Sequence, residues 1–353
     1  MRLVSADGAA LRPASRAAGQ PHGEQPALPL MSVVVPTCGR PALLRRCLTA
    51  LLAQDLAPEA FEVIVVDDGQ GDATRQLVAE LAQRSRLPLR YMSPREHWGP
   101  AFARNAGWRF ARAPIIAFTD DDTVPRSDWL MEGWRALAAH PDWVAAAGRV
   151  VVPPLRPGQP PTDHERMTRG LERADFVTAN AFVRRGALMR INGFDDRFRR
   201  AWREDSDLHF RLLTLAGPVG RAPRAAVLHP VRPEPWGVSL RQQRNAFFEA
   251  LLYKKHPVLY RQMILPTVPW DFYAIVLMTV AALPLALLAT PGPMLAALGT
   301  AAALVLRFAW RRLRGAARSW RHVGEMLATS AAIPFLSVYW RLRGAWRFRV
   351  WFL

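Results

Sequence analysis

The sequence predicts an α/β domain, a mostly parallel sheet with helices on both faces, followed by a C-terminal α-helical membrane region. Two observations carry the first half. Short β-branched apolar runs alternate with amphipathic stretches, and oxygen-rich side chains recur at the ends of those runs. One more carries the second half: Phe272 to Thr290 is uncharged and almost wholly apolar, and a block of arginines follows it. Strands alternating with helices imply right-handed crossovers. In such sheets a ligand binds outside the carboxyl ends of the strands.

Leu30 to Pro36 is a β-branched run ending at proline, the pattern of a buried parallel strand. Pro41 suits a first helical position, and Leu44, Cys47, Leu48, Leu51 and Leu52 follow at helical spacing. Phe61 to Val66 is a second strand, ending in Asp67-Asp68-Gly69, and a helix over 73–83 leads to a third strand, Leu89 to Met92. A helix over 100–111 precedes a fourth strand, Ile115 to Phe118, which ends in Thr119-Asp120-Asp121-Asp122. From Asp175 the pattern changes: Phe176 to Val183 alternates like a strand, and Arg185 to Leu188 begins a short helix. Ile191 to Phe198 reads as a turn, and Trp202 to Asp207 opens a helix with the apolar face Leu208, Leu212 and Leu215. No GxGxxG or Walker A sequence is present, which disfavours a dinucleotide or P-loop cradle.

The formal net charge is +18 over 353 residues, carried almost wholly by arginine, with Lys254 and Lys255 the only lysines. Such a balance points to phosphate-bearing substrates, a membrane surface or nucleic acid. The clustered carboxylates lie between Asp67 and Asp207 while Arg307 to Arg349 is cationic, which is not the basic face interleaved with aromatics of a nucleic-acid binder. Cys38 and Cys47 form no metal spacing, so reduced thiols in a cytosol-facing domain are expected. Residues 1–29, rich in Pro, Gly, Ala and Arg without an apolar core, read as a disordered tail and not a secretory signal. The expected organisation is this tail, a catalytic-type domain over 30–235, a helical connector over 236–265 and membrane-associated helices over 266–353. Within the last part, a hairpin about 270–309 turns at Pro291–Pro293, and Glu325 with flanking arginines makes about 323–345 an interfacial helix. The arginines after Leu306 place the hairpin ends, and the preceding domain, on the cytoplasmic face of the plasma membrane.

Asp120-Asp121-Asp122 has two readings. Adjacent carboxylates serve as a solvated acidic turn, with Asp120 or Asp128 as a helix cap. Alternatively they hold a hard divalent cation, Mg²⁺ or Mn²⁺, which also binds a substrate diphosphate. The clustering of Thr37, Asp67 and Asp68 at other strand ends favours the second.

Val33-Val34-Val35-Pro36-Thr37, Val63 to Gly69, Ala103-Arg104-Asn105-Ala106-Gly107, Phe118 to Asp122, Gly193-Phe194-Asp195 and Glu204-Asp205 occur in one order. The ordered set resembles the family 2 glycosyltransferases of the GT-A (Rossmann-like) fold over roughly residues 30 to 230. The resemblance implies that Pro36, Thr37 and Arg40 line the base and ribose pocket, and that Asp68 accepts a hydrogen bond from the base with Asp67 supporting it. It implies Arg104 beside the donor diphosphate, Asp120 on the nucleotide side, Asp122 on the metal and a dispensable middle Asp121. Glu204-Asp205 matches the pair carrying the general base, Asp205, with Glu204 beside the substrate. His229 lies where some members place a histidine near the metal; a purely structural histidine is the alternative.

The implied reaction is inverting transfer of one sugar from a nucleotide-diphosphate sugar to a hydroxyl or phosphate acceptor, lipid-linked or in cell-envelope polysaccharide synthesis. The chain departs from the family at Cys38-Gly39, where many members carry an aromatic and an asparagine, and it lacks QxxRW, the mark of processive members. Single addition is therefore expected, with Arg241 or Arg244 touching an acceptor phosphate. Two other classes are a nucleotidyltransferase using the aspartates for two-metal chemistry and a non-catalytic basic membrane or nucleic-acid binder. The first wants a glycine-rich phosphate loop that Thr37-Cys38-Gly39-Arg40-Pro41 approximates poorly; the second leaves the strand-end carboxylates without purpose.

Overall fold

A computed structural model describes residues 28–352; the tail expected over 1–29 lies, up to residue 27, outside the described residues. Eight strands form one sheet among the described residues: β1 (Met31–Thr37), β2 (Phe61–Asp67), β3 (Leu89–Met92), β4 (Ile115–Thr119), β5 (Val124–Pro125), β6 (Ala145–Val151), β7 (Asn180–Arg184) and β8 (Val219–Leu228). Their spatial order is β3-β2-β1-β4-β7-β6-β8-β5. The β3–β2–β1–β4 half is wholly parallel. The other half is mixed: β7 runs antiparallel to β4 and β6, β8 parallel to β6, and β5 antiparallel to β8.

Helices cover both faces of the parallel half because every residue of β1 and β2 is buried. On one face Val33 and Val35 meet α1 (Pro41–Leu52), α2 (Asp72–Gln83) and α4 (Trp129–Ala139) through Leu44, Leu48, Leu77 and Trp129. On the other Val34 meets α3 (Pro100–Phe110), and α6 (Arg185–Ile191) and α7 (Glu204–Arg211) join it through Trp108, Leu188 and Leu208. The alternation of Val33, Val34 and Val35 between the two layers is the period-two rule of a strand. α5 (Asp163–Thr168) lies between β6 and β7 in the chain and starts with a capping box of Thr162 and Glu165.

Helix α3 approaches the sheet unusually closely. A β-carbon on Gly107 would stand 2.4 Å from Val34 Cγ1 and 3.0 Å from Val66 Cγ2. Only glycine allows this contact, and it sets the depth at which α3 carries Arg104.

The strand expected over Phe176 to Val183 begins only at Asn180, and Thr178–Ala179 form a turn. The reason is local: the Thr178 amide and hydroxyl both bond the Asp205 carboxylate, which removes them from any ladder.

The connector is α8 (Val238–Gln242), α9 (Ala246–Lys255) and α10 (Pro257–Met263). Phe198 and Phe210 of the sheet domain pack with Phe248, Leu251 and Tyr260 in an aromatic core of their own. Lys255 and His256 at the end of α9 both reach Asp207, His256 at 3.0 Å, so the connector is joined to α7 by ion pairs as well.

Three long helices follow: α11 (Trp270–Leu287), α12 (Pro291–Leu313) and α13 (Trp320–Phe348). Pro291 to Pro293, expected at the hairpin tip, instead open α12, since proline suits the first turn of a helix. The tip is therefore the segment just before, and α12 spans 23 residues. The first two helices are long and apolar enough to cross a membrane, with mean hydropathy of 1.8 and 1.5 in their most apolar windows. Leu277, Val280, Leu283, Leu287 and Leu295 are exposed on them, so they are not the buried core of a soluble domain. α13 packs against α9, and its Glu325 accepts the Gly237 amide at 2.7 Å.

Gly107→Ala is expected to destabilise the protein by about 1–3 kcal/mol through overpacking. Thermal unfolding of the detergent-solubilised full chain checks this; an unchanged melting temperature refutes the close-contact argument.

Candidate active site

The carboxyl ends of β1, β2 and β4, the start of α7 and the end of β8 converge on one cleft. Its centre is the turn after β4. Asp120 is half-buried, while Asp121 and Asp122 are buried, and each has different partners. Asp120 Oδ1 accepts from Arg104 Nη2 at 2.7 Å. Asp121 Oδ2 accepts the Thr37 hydroxyl at 2.6 Å, and Arg40 stands 2.8 Å from its other oxygen. Asp122 faces His229 Nε2 at 3.5 Å, Arg232 Nε at 3.3 Å and Arg40 at 3.8 Å.

One ligand atom each from Asp120, Asp122 and His229 lies within 4.8 Å of the others. Two hard carboxylate oxygens with one imidazole suit Mg²⁺ or Mn²⁺. His229 Nδ1 is buried without a hydrogen-bond partner, so nothing fixes the ring's tautomer against presenting Nε2 to a cation. The residues present fit a divalent ion.

Asp121 departs from its expected dispensability. It is fully buried, and it ties the β4 turn to the end of β1 through Thr37. Burial pushes its carboxyl up to about 6, against the lowering by Arg40 and the Thr37 hydroxyl. Asp120 goes the other way: burial opposes its charge, but the Arg104 guanidinium prevails and holds it below the usual carboxylate range.

Arg104 is 2% exposed and also donates to Glu204 Oε1 at 3.1 Å. It thereby brings the start of α7 to the aspartate turn. Burial works against its charge, yet Asp120, Asp205 and Glu204 together keep its proton bound more tightly than usual. Beside it, burial raises the Glu204 carboxyl, with the Asp205 charge adding to the effect. Asp205 is also raised, by burial first, while Arg104 and the Thr178 hydroxyl at 2.5 Å pull it back.

The β2 end is built differently. Asp67 accepts the amides of Gly69 and Gly71, both at 2.9 Å, and so shapes its own turn. Asp68 accepts the amides of Trp98 and Gly99 at 3.2 and 3.0 Å, and His97 Nδ1 stands 2.7 Å away. Gly99 has φ of 91°, and a β-carbon there would meet the Arg199 carbonyl at 2.5 Å, so glycine is required where Asp68 anchors the start of α3. Pro36 is buried within β1, paired with Val66.

Several contributors escaped the sequence reading. Arg232 is one arginine among many, and Thr178 lay inside an apparent strand. His97 carries no local signal. Arg241 and Arg244, expected at an acceptor phosphate, stand beside Glu234 at 3.4 Å and over the Trp340 ring, respectively. Cys38 and Cys47 are both free.

Asp121→Ala is expected to cost about 1–3 kcal/mol because it strands a buried hydroxyl and a guanidinium. Asp121→Asn, which keeps an acceptor for Thr37, is expected to lose less. Unfolding midpoints of both variants check this, and equal losses would refute the Thr37 contribution.

The sequence profile described as Glycosyl transferase family 2 matches residues 32–198. Over 114 residues the chain is 42% identical to validoxylamine A glucosyltransferase of Streptomyces hygroscopicus subsp. limoneus, covering 32% of this chain and 24% of that protein. It is 28% identical over 221 residues to the pre-mycofactocin glycosyltransferase of Mycobacterium tuberculosis, covering 58% of this chain and 43% of the relative. The matched part thus spans less than half the length of these relatives. A solved structure of the mannosyltransferase PcManGT from Pyrobaculum calidifontis, in complex with GDP-Man and Mn²⁺, superposes with a TM-score of 0.58 at 20% identity, covering 93% of this chain and 91% of that one. Motif order, fold and profile agree, and the chain carries a family 2 glycosyltransferase domain of GT-A fold.

Proposed function

We propose that this protein is a membrane-anchored inverting glycosyltransferase that moves one sugar from a nucleotide-diphosphate sugar to a hydroxyl or phosphate acceptor. The observation that carries the reading is the Arg104 bridge, which sets Asp205 beside the Asp120, Asp122 and His229 cluster. Asp120, Asp122 and His229 would hold Mg²⁺ or Mn²⁺, which when bound neutralises charge developing on the leaving diphosphate. The complex of PcManGT with GDP-Man and Mn²⁺ supports a nucleotide-sugar donor and this choice of ion.

The chain's own residues do the rest. Arg40 and Arg232 are partly exposed, with side-chain exposures of 35% and 42%, and are placed to pair with phosphate oxygens. Thr37 and Asp68 border the nucleotide side at the ends of β1 and β2. Asp205 takes the acceptor proton as the new bond forms, since an unactivated hydroxyl is a poor nucleophile near neutral pH. A carboxyl raised by burial is a better base than a solvated one, and the two Thr178 hydrogen bonds aim it. One base with no covalent nucleophile is the requirement of single displacement, which inverts the anomeric centre.

The exposed apolar surfaces of α11 and α12 support anchoring in a bilayer. Trp270, Trp310 and Trp320 are exposed at the helix ends nearest the arginine block, as interfacial aromatics are. Arg307, Arg311 and Arg314 share that end, which supports a cytoplasmic catalytic domain and an acceptor drawn from a lipid or cell-envelope pathway.

Asp122→Ala and Asp205→Asn are each expected to lower metal-dependent transfer from nucleotide sugars by about 10²-fold or more. Full activity in both, measured by nucleoside diphosphate release with Mn²⁺, sinks the mechanism. Because Asp205 must be ionised to act and its pKa is raised, activity should fall as pH drops through a value above that of an ordinary aspartate. Thr178→Val removes a bond that favours the carboxylate, so the acid limb should move to higher pH. A pH profile of kcat/KM unchanged in that variant refutes the assignment.

A further inference from the structure

A second cavity, about 790 Å³ in volume, lies where α5, the connector and the three long helices meet. Its lining carries six arginines, Arg166, Arg169, Arg173, Arg311, Arg312 and Arg341, against two carboxylates, Asp163 and Glu249. Both carboxylates are already engaged: Asp163 with Arg312 at 2.7 Å, and Glu249 with Arg203 at 2.8 Å. Arg311 pairs with Asp271 outside the lining. Among the described residues Arg166 donates to the carbonyls of Arg312 and Arg314 and meets no carboxylate. Arg169 and Arg173 have no carboxylate partner among the described residues, and Arg169 Nε is buried without a hydrogen bond. Arg166, Arg169 and Arg173 are thus gathered on one wall with no carboxylate partner among the described residues, and an anion with several oxygens relieves their mutual repulsion by forked hydrogen bonds.

The remaining wall is apolar. Phe272 of α11, Phe308 of α12 and Ile333 of α13 line it, and the two phenylalanine rings meet edge to face at 4.9 Å. Both rings belong to α11 and α12, the two helices among the described residues that are long and apolar enough to cross a membrane. Trp202, also in the wall, stands just before Glu204 and Asp205 in sequence, and with Arg203 it is tied to Glu249. The cavity thus has cationic and apolar walls and borders the segment that carries the proposed base.

We propose that this cavity binds the phosphate headgroup of a long-chain lipid, with Arg166, Arg169 and Arg173 on the phosphate and the chain along Phe272, Phe308 and Ile333. Use of that lipid as the sugar acceptor rests on the glycosyltransferase reading above; the binding itself does not. The site differs from a general attraction of basic residues to a membrane, because it demands both the phosphate and the chain on one molecule.

Binding of radiolabelled farnesyl phosphate to the full chain in nonionic detergent, competed by farnesol and by inorganic phosphate, tests the proposal. Farnesyl phosphate is expected to bind at least about tenfold more tightly than either competitor. The R169A/R173A variant should weaken it by about tenfold or more, while R169K/R173K, which keeps the charge, loses less. Inorganic phosphate competing as well as farnesyl phosphate would assign the site to a soluble phosphate and overturn the lipid. Farnesol competing as well would overturn the role of the arginines, and so would unchanged affinity in R169A/R173A. If that variant melts early, Phe308→Ala carries the test: it should weaken farnesyl phosphate and leave inorganic phosphate unaffected, and equal affinity for farnesyl phosphate overturns the proposal. Mn²⁺-dependent release of nucleoside diphosphate, assayed separately, reports on the glycosyltransferase reading alone, so failure of either is told from failure of the other.

Discussion

The cleft depends on one buried guanidinium. Arg104 takes Asp120 on one nitrogen and Glu204, a hundred residues further along the chain, on another, joining the end of a central strand to the start of α7. A buried cation is costly unless fully paired, and removing either partner leaves an uncompensated charge in low dielectric. That cost makes the arrangement specific: α7 has a single favourable position, and in it Asp205 follows directly on the paired Glu204. Gly107, one turn along α3 from Arg104, allows the helix to lie deep enough for the guanidinium to reach both carboxylates.

The three consecutive aspartates show how neighbours of one type acquire different properties from their surroundings. Asp120 is held ionised by Arg104, whereas Asp121 lies deeper, with its charge countered only by Arg40 and a hydroxyl. Asp122 shares its space with His229 and two guanidiniums. The middle residue holds the turn against β1, and the outer two are directed at the cleft. Arginine suits these positions better than lysine because one planar fork serves two acceptors at once. The arginine-rich composition is thus partly internal architecture and not only surface charge.

The parallel half of the fold was legible because strands buried on both faces leave continuous β-branched runs, and Val33 to Val35 and Val63 to Val66 are such runs. The mixed half left weaker marks. β6 starts Ala145-Ala146-Ala147-Gly148, and β8 contains Arg221, Pro223 and Arg224, so pairing with neighbours and not intrinsic preference makes them strands. Side chains at the strand ends were readable as a group because topology alone brings those ends together. Thr178 and Arg232 were not, since each acts through a partner distant in sequence. Asp121 was misjudged for the same reason: its partner Thr37 is 84 residues away.

The attachment of the apolar helices bears on how an acceptor reaches the cleft. Arg312, near the end of α12, is buried and donates to Thr329 and Ser330 of α13, to Asp163 at the start of α5, and to Ser239 of α8. A simple tether would need no such junction, because a flexible linker holds a domain at a membrane equally well. A desolvated arginine satisfied by four separate groups fixes the angle between the hairpin and the sheet domain. With the hairpin in a bilayer, that angle sets the height of Asp205 above the headgroups. Solvent-borne acceptors gain nothing from a fixed height, whereas an acceptor confined to the bilayer surface meets Asp205, the proposed base, only if the height is right. The rigid junction therefore favours an acceptor that is itself held at the membrane.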